Sequence, residues 1–290
     1  MTTLTTAPPP TASPPLAPAP APPQAARPPR RWGDLALRLV AGLVLLYLFI
    51  PILLIVLFSF NDPEGRFNLT WQGFTLDNWL DPFRYEQLTE ALVTSLKVAA
   101  LSTAISAVLG TLVAVALVRS RFRGSGAIDT FLVVPLTAPE VVLGASLLTL
   151  FIDLEWARGF GTIVVVHVMF EISFVALTVK ARLRGFDWTL EDAAMDLGAS
   201  PTRTFLRITL PLIVPGIVAA AMLSFALSLD DFIITYFNSG STVTYPLYVN
   251  AATRTGLPPQ INVLATAILL VSLLLLGASV LWQRRRPAST

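Results

Sequence analysis

Glu191–Gly216 reads EDAAMDLGASPTRTFLRITLPLIVPG, a polar, helix-patterned insert between two apolar runs. Thr189, just ahead of it, has the side chain of an N-cap, and Asp192 can reach back to its amide as a shortened capping box. Leu190, Ala193, Ala194 and Leu197 recur at i, i+3, i+4 and i+7, which puts an apolar stripe on one helix face. Glu191, Asp192 and Asp196 load the early turns with negative charge, complementing the helix dipole. Gly198 supplies the left-handed position that ends a helix, and Ser200 with Pro201 restarts one. The expectation is two short helices joined at a glycine elbow, with Pro211 at the entry to the next apolar run. An ordinary linker lying on a membrane surface is the alternative, but such helices favour a basic polar face opposite large apolar residues. An acidic start and a small-residue apolar face suit close packing in a groove of another protein.

The rest of the chain makes that insert unusual. Of 290 residues 54% are apolar and 13% charged, and the mean hydropathy is +0.69. Soluble domains carry about 25% charge, so the composition points to a polytopic membrane protein. Cysteine is absent, which excludes a disulfide framework, a thiolate metal site and a Cys nucleophile. A lone histidine, His167, argues against a His-built metal centre, and no metal site is assigned. There is no G-x-x-x-x-G-K-[ST], and the only lysines are Lys97 and Lys180, so this chain supplies no P-loop. Neither a Ser/His/Asp set nor a carboxylate pair is laid out as a soluble active site needs, and no catalytic residue is assigned. Energy for any transport must come from an ion gradient or another subunit.

A spanning helix needs about 20 mostly apolar residues. The candidates are Leu35–Phe58, Leu92–Val118, Ile128–Ile152, Thr162–Val179, Ile208–Leu229 and Asn262–Trp282, six in all. Pro135 and Pro139 mark the third as kinked or split. Residues 1–31 are Pro/Ala-rich and read as a disordered tail, without the charged start and apolar core of a secretory signal. Residues 32–90 hold the first span and its loop, 91–283 the remaining core, and 284–290 a basic tail. Arginines fix the orientation. Arg27, Arg30, Arg31 and Arg38 open span one; Arg119, Arg121 and Arg123 follow span two; Lys180, Arg182, Arg184, Arg203 and Arg207 lie between spans four and five; Arg284–Arg286 close the chain. The alternate loops are poor in them, so both termini and the insert are expected in the cytoplasm. The first outer loop carries Trp71, Phe74, Trp79, Phe83 and Tyr85, read equally as an interfacial aromatic belt or a docking surface.

Asp192-Ala193-Ala194, then Gly198, Ile208 and Leu210-Pro211 are spaced as in the EAA loop of ABC-importer membrane subunits, with Asp192 where the family usually has Glu. The resemblance runs from about Phe58 to the end of span six. Ser59-Phe60-Asn61, Phe74-Thr75-Leu76-Asp77-Asn78-Trp79, Thr94-Ser95-Leu96, Arg121-Phe122-Arg123-Gly124, Pro135-Leu136, Pro139-Glu140 and Leu229-Asp230-Asp231-Phe232-Ile233-Ile234-Thr235 resemble the spermidine/putrescine-type permeases, nearest to the C-type subfamily. The resemblance implies a MetI-like ABC type-1 permease fold: all-α, six transmembrane helices, and a cytoplasmic coupling helix between helices 4 and 5. It implies that Glu191, Asp192, Ala193, Ala194, Gly198, Leu210 and Pro211 couple to an ATPase subunit. The partners it implies are a second, B-type permease, two ATPase subunits that bind ATP and Mg, and a periplasmic substrate-binding protein. This chain would hold no cofactor and would lie in a bacterial inner membrane. The Pro-rich tail has no counterpart in the pattern.

Charges inside apolar runs need a reason, because each costs about 2.5–3.5 kcal/mol at a helix centre. Glu140 follows Pro139 in span three, Glu171 lies in mid-span four with His167 one turn away, and Asp230 and Asp231 end span five. Each has a structural reading: a hydrogen bond from Glu171 to His167 or to backbone, an interhelical contact for Glu140, a solvated helix end for the aspartates. In the functional reading they line a pathway for a cation, since Lys97, near the outer end of span two, is the only base expected in the bilayer. Gly216, Ala219, Ala220, Ala221, Ser224, Ala226 and Ser228 form a small-residue face on span five, suited to a second permease. The expected function is half of the translocation pathway of an ATP-driven importer, for polyamines by resemblance. A permease for another small solute, an ion-coupled secondary carrier and a membrane scaffold are the alternatives. Secondary carriers show inverted repeats, and no matching halves are found here.

Overall fold

The computed structural model describes residues 31–120 and 122–285, all of the regular structure being helical. The proposed tail up to residue 30 and residues 286–290 lie outside the described residues. In chain order the helices are α1 (Arg31–Phe58), α2 (Asp77–Leu80), α3 (Glu86–Arg119), α4 (Ser125–Thr137), α5 (Glu140–Asp153), α6 (Phe160–Leu183) and α7 (Thr189–Asp196). Then come α8 (Pro201–Thr204), a π-helical turn (Phe205–Thr209), α9 (Leu210–Asp230), α10 (Ile233–Asn238), α11 (Tyr245–Thr255) and α12 (Pro259–Arg285). The chain divides into two compact units at Pro51. The described part of the first is helical, and from Leu35 on it is strongly apolar, with Leu37, Leu43 and Tyr47 exposed, as suits a lipid-facing segment.

Helices α3, α6 and α9 form the frame of the second unit. Ala114, Val175, Val179, Leu183, Ile213 and Ala220 interlock where the three meet. At Gly110 the α3 and α6 backbones nearly touch: a Cβ there would sit 2.7 Å from Val175 Cβ. Small residues allow this approach, which is how helices associate where lipid offers no hydrophobic drive. Ala220, Ser224 and Ser228 are buried, and α9 packs on α3 and α6. Part of the small-residue face expected for a second permease therefore serves the chain's own packing, while Ala219 and Ala226 stay exposed.

Four helical stretches are long and apolar enough to cross a membrane: Leu35–Phe58, Glu86–Arg119, Phe160–Leu183 and Pro201–Asp230. The α4–α5 pair makes five if counted as one span, bent by 104° at its break. Pro139 causes that break, forcing Ala138 into an extended conformation ahead of it. The sixth expected span falls on α12, a helix of 27 residues.

Two local expectations are corrected. Thr189 is the first residue of α7 and not its cap, a position held by Trp188; Asp187 just ahead accepts through Oδ1 from Thr189 N at 3.1 Å and from Thr189 Oγ1 at 2.7 Å. This pair holds the Asp187 carboxyl below its usual value, and Asp192 makes no capping box because the helix already includes Thr189. Nor does the second helix stay short. Ser200 caps it as expected, with Pro201 in its first turn, but α8 runs through the π-turn into α9 as one stretch. Pro211 explains the π-turn, since it has no N–H to offer the Arg207 carbonyl and its ring crowds that carbonyl. The Leu210 N–H reaches back five residues to Phe205 O.

The loop after α1 is a folded cap. Asn61, fully buried, donates to Asn68 Oδ1 at 2.6 Å and to Thr70 O at 2.8 Å, and its Oδ1 accepts from Gln72 N at 2.8 Å. Asn78 Nδ2 reaches Asn61 O at 2.8 Å, and Phe60 stacks between Phe74 and Trp79. Trp79 Nε1 donates to Ser59 Oγ at 3.1 Å. Of the loop aromatics Trp79 braces the cap, whereas Trp71, Phe74, Phe83 and Tyr85 are exposed.

Candidate functional site

A cavity of about 380 Å³ opens where α5 begins, where α9 ends and along the middle of α6. Glu140, His167, Glu171, Ser228, Asp230 and Asp231 line it, with Val166, Phe170, Leu227, Phe232, Ile233 and Ile234. The chain breaks on two sides of it. Pro139 splits α4 from α5 next to Glu140, and Asp231–Phe232 separates α9 from α10. Broken backbone is tolerated at membrane depth where it lines a cavity, because its polar groups then find partners.

The four acids are not equivalent. Glu140 is exposed in the first turn of α5, where a carboxylate complements the helix dipole. Asp230 is exposed at the end of α9. Asp231 is committed locally, accepting from Thr235 N at 2.8 Å and from Thr235 Oγ1 at 2.6 Å. Glu171, at 1% exposure, accepts from Ser102 Oγ of α3 at 2.9 Å through Oε1, while Oε2 has no partner among the described residues. The bond from Glu171 to His167 considered from the sequence is not formed.

Instead, a relay of hydroxyls joins the two. Ser102 Oγ lies 3.2 Å from Ser228 Oγ, which lies 2.6 Å from His167 Nδ1. Thr235 Oγ1, having given its proton to Asp231, accepts from His167 Nε2 at 2.9 Å. Two proton arrangements then satisfy every hydroxyl. With Nδ1 protonated, Ser228 accepts from it and donates to Ser102, which donates to a Glu171 carboxylate. With Nδ1 bare, Ser228 donates to it, Ser102 donates to Ser228, and Glu171 carries the proton. Both hold the same number of protons and differ only in where charge sits. Ser102, Ser228 and Thr235 were missed by sequence reasoning, because a hydroxyl in an apolar run carries no pattern of its own.

Lys180 corrects another expectation. It belongs to α6, buried, and pairs with Asp129 of α4, so it is neutralised inside the helical frame instead of lying in a loop. Lys97 is exposed on α3. Among the described residues no Lys or Arg lines the acidic cavity.

The α7 segment is organised differently. Gly198, at φ +88°, closes a Schellman motif: Ala199 N donates to Ala194 O at 3.0 Å and Gly198 N to Met195 O at 2.9 Å. Of the apolar stripe, Leu190 and Ala193 are exposed, Ala194 is half-buried and Leu197 is 91% exposed. Asp192 is exposed too, whereas Glu191 turns inward, 3% exposed. Its Oε2 lies 3.1 Å from Arg119 Nη2 at the end of α3, and its Oε1 accepts from Thr209 Oγ1 in the π-turn. Leu210 is half-buried and Pro211 exposed at the start of α9.

The family described as "Binding-protein-dependent transport system inner membrane component" matches residues 106–286. The chain is 38% identical over 241 residues to the spermidine/putrescine transport system permease protein PotC of Haemophilus influenzae, covering 82% of this chain and 93% of that one. It is 41% identical over 231 residues to the putrescine transport system permease protein PotI of Escherichia coli, covering 77% and 82%. In fold it is similar to a chain of a bacterial ABC transporter involved in the import of the acidic polysaccharide alginate, at TM-score 0.64 and 14% identity, covering 91% of this chain and 100% of that one. A chain of the inward-facing MetNI methionine ABC transporter follows at TM-score 0.56 and 18% identity, covering 68% and 95%. At those identities the likeness concerns the fold alone.

Proposed function

Because the chain belongs to the family of binding-protein-dependent transport system inner membrane components, we propose that it is the permease subunit of an ATP-driven importer of polyamines, spermidine or putrescine. Its cavity forms part of this subunit's half of the pathway. Multiple apolar helices and the permease relatives make it a multi-pass inner-membrane protein. The observation that carries the substrate reading is the charge of the cavity: Glu140, Glu171, Asp230 and Asp231 line it, with no Lys or Arg among the described residues. A buried carboxylate oxygen without a donor is costly unless a cation completes it, and a primary ammonium is a compact donor of three hydrogen bonds. The relatives named for spermidine and putrescine fit this charge.

Coupling runs through α7. Its exposed face of Leu190, Ala193, Ala194 and Leu197, with Asp192 beside it, fits the groove of an ATPase subunit, and Gly198 sets the elbow. Leu210 and Pro211 sit where α9 meets the π-turn. Closure of two ATPase subunits on ATP would press on α7 and tilt α6 and α9, opening the pathway outward; hydrolysis would reset it. A second permease would complete the pathway, and a substrate-binding protein would deliver cargo from outside. The arginine distribution supports cytoplasmic termini.

ATP-dependent uptake of labelled putrescine and spermidine by the reconstituted complex tests this reading. Saturable uptake, competed by either polyamine and not by an amino acid or a sugar, is expected. Uptake abolished by an uncoupler and indifferent to ATP would overturn it.

A further inference from the structure

Helix α7 is held to its own chain by little. Its apolar stripe faces away, and Glu191 is its only buried residue. Just before it, Phe186 and Trp188 meet edge-on with centroids 4.8 Å apart and pack on the Val179–Leu183 core. That apolar anchor fixes where the segment leaves α6. The same cluster holds Ala114 of α3 and Ile213 of α9, through apolar contact that has no direction of its own. Glu191 reaches both, with one oxygen on Arg119 and the other on Thr209.

Resting on the function proposed above, we infer that Glu191 is a positioning residue, a two-armed strut that carries displacement of α7 into α3 and α9. The geometry suits that role in three ways. A carboxylate saturated by a guanidinium and a hydroxyl, and nearly closed to water, resists rearrangement more than an exposed pair does. The Thr209 arm ends in the π-turn, the point in the Pro201–Asp230 stretch where the hydrogen-bond ladder is already irregular and bending is easiest. The Arg119 arm ends on the last residue of α3, which shares the Ala114 contact with α6 and α9 and carries Ser102 of the hydroxyl relay. A push on α7 thus enters both helices that flank the cavity's hydroxyl relay. The sequence places Glu191 beside the ATPase-facing Asp192, but its side chain points the other way. It acts inside the permease and not across the interface.

The test uses the full reconstituted complex and reads uptake per ATP hydrolysed. Glu191→Ala is expected to lower that ratio about tenfold, the scale of a charge-assisted hydrogen bond to a half-exposed partner, while the ATPase subunits still co-purify and still hydrolyse ATP. Thr209→Val, removing one arm, should lower it by a smaller factor, about threefold. The charge-swapped pair Glu191→Arg with Arg119→Glu should recover much of the ratio lost in Arg119→Glu alone. An unchanged ratio in Glu191→Ala overturns the inference. So does the absence of rescue by the swap in a complex that assembles normally. If Glu191→Ala does not assemble, Thr209→Val and Arg119→Met decide, and normal coupling in both overturns it. A readout independent of cargo separates this from the substrate reading. The chain has no cysteine, so spin labels at Asp196→Cys and Ser120→Cys report the α7–α3 distance. That distance should stay narrow with and without ATP in the intact protein and broaden in Thr209→Val and Arg119→Met. A complex that moves no polyamine yet keeps this pattern refutes the substrate reading and supports the strut.

Discussion

Glu171 and Glu191 are both almost fully buried carboxylates, 1% and 3% exposed, and they are kept in opposite company. Glu191 is saturated: Arg119 neutralises it and Thr209 fills its other oxygen. Glu171 has one hydroxyl donor on Oε1 and, among the described residues, none on Oε2. A carboxylate that has all its partners fastens two parts of a fold together. One left short, on the wall of a cavity, is held ready for a donor from outside. The same residue type is therefore proposed here as a fastener in α7 and as a recognition group in α6, and exposure alone does not tell the two apart.

The largest way to disturb this contrast is to move the frame that separates the two sites. Gly110→Leu places side-chain atoms where Val175 Cβ would already lie 2.7 Å from a Cβ. It should cost ~3 kcal/mol or more by overpacking and lower the thermal midpoint of the purified complex, impairing both sites together. Next comes Glu171→Gln, isosteric but uncharged. It should cut uptake at low polyamine concentration about tenfold, the worth of one charge-assisted hydrogen bond, and leave the uptake-to-ATP ratio near normal. That split is the reverse of the pattern expected for Glu191→Ala, and equal ratios in the two variants would break the comparison.

The smallest effect is expected just ahead of α7. Asp187→Ala removes the acceptor of Thr189 N, so amide exchange in the first turn of α7 should quicken while uptake is scarcely changed. The carboxyl of Asp187 is held below its ordinary value of 3.8, first by the Thr189 hydroxyl and then by its amide. Its contribution is therefore present above that ordinary value and is lost as pH falls through the lower folded value. Unprotected amides at neutral pH in the native protein would contradict the Asp187–Thr189 bond.

Much of this was legible beforehand, for reasons that differ by residue. Long apolar runs announce helices because lipid leaves the backbone no other partner, and Pro139 announced a break because its ring and missing N–H act locally. Gly198 was legible for the same local reason, its φ of +88° being open to few other residues. Thr189 was misread because Asp187, two residues earlier, takes the Thr189 amide that Asp192 was expected to hold, and a sequence with two capping side chains does not rank them. The continuity of α8 with α9 was missed because Pro211 signals a helix end as readily as a π-turn.

By itself the sequence determined the membrane class, the places of the helices, the acidic character of the cavity lining and the lack of a P-loop. Each follows from composition or from forces acting within a few residues. Only the tertiary structure decided that Glu140, Glu171, Asp230 and Asp231 line one cavity. It alone decided that Ser102 and Ser228 link Glu171 to His167, and that Glu191 faces Arg119 while its neighbours face outward. Those choices depend on the close approach of α3, α6 and α9. That approach is a sum of many small packing contacts among residues far apart in the chain, and no local pattern records it.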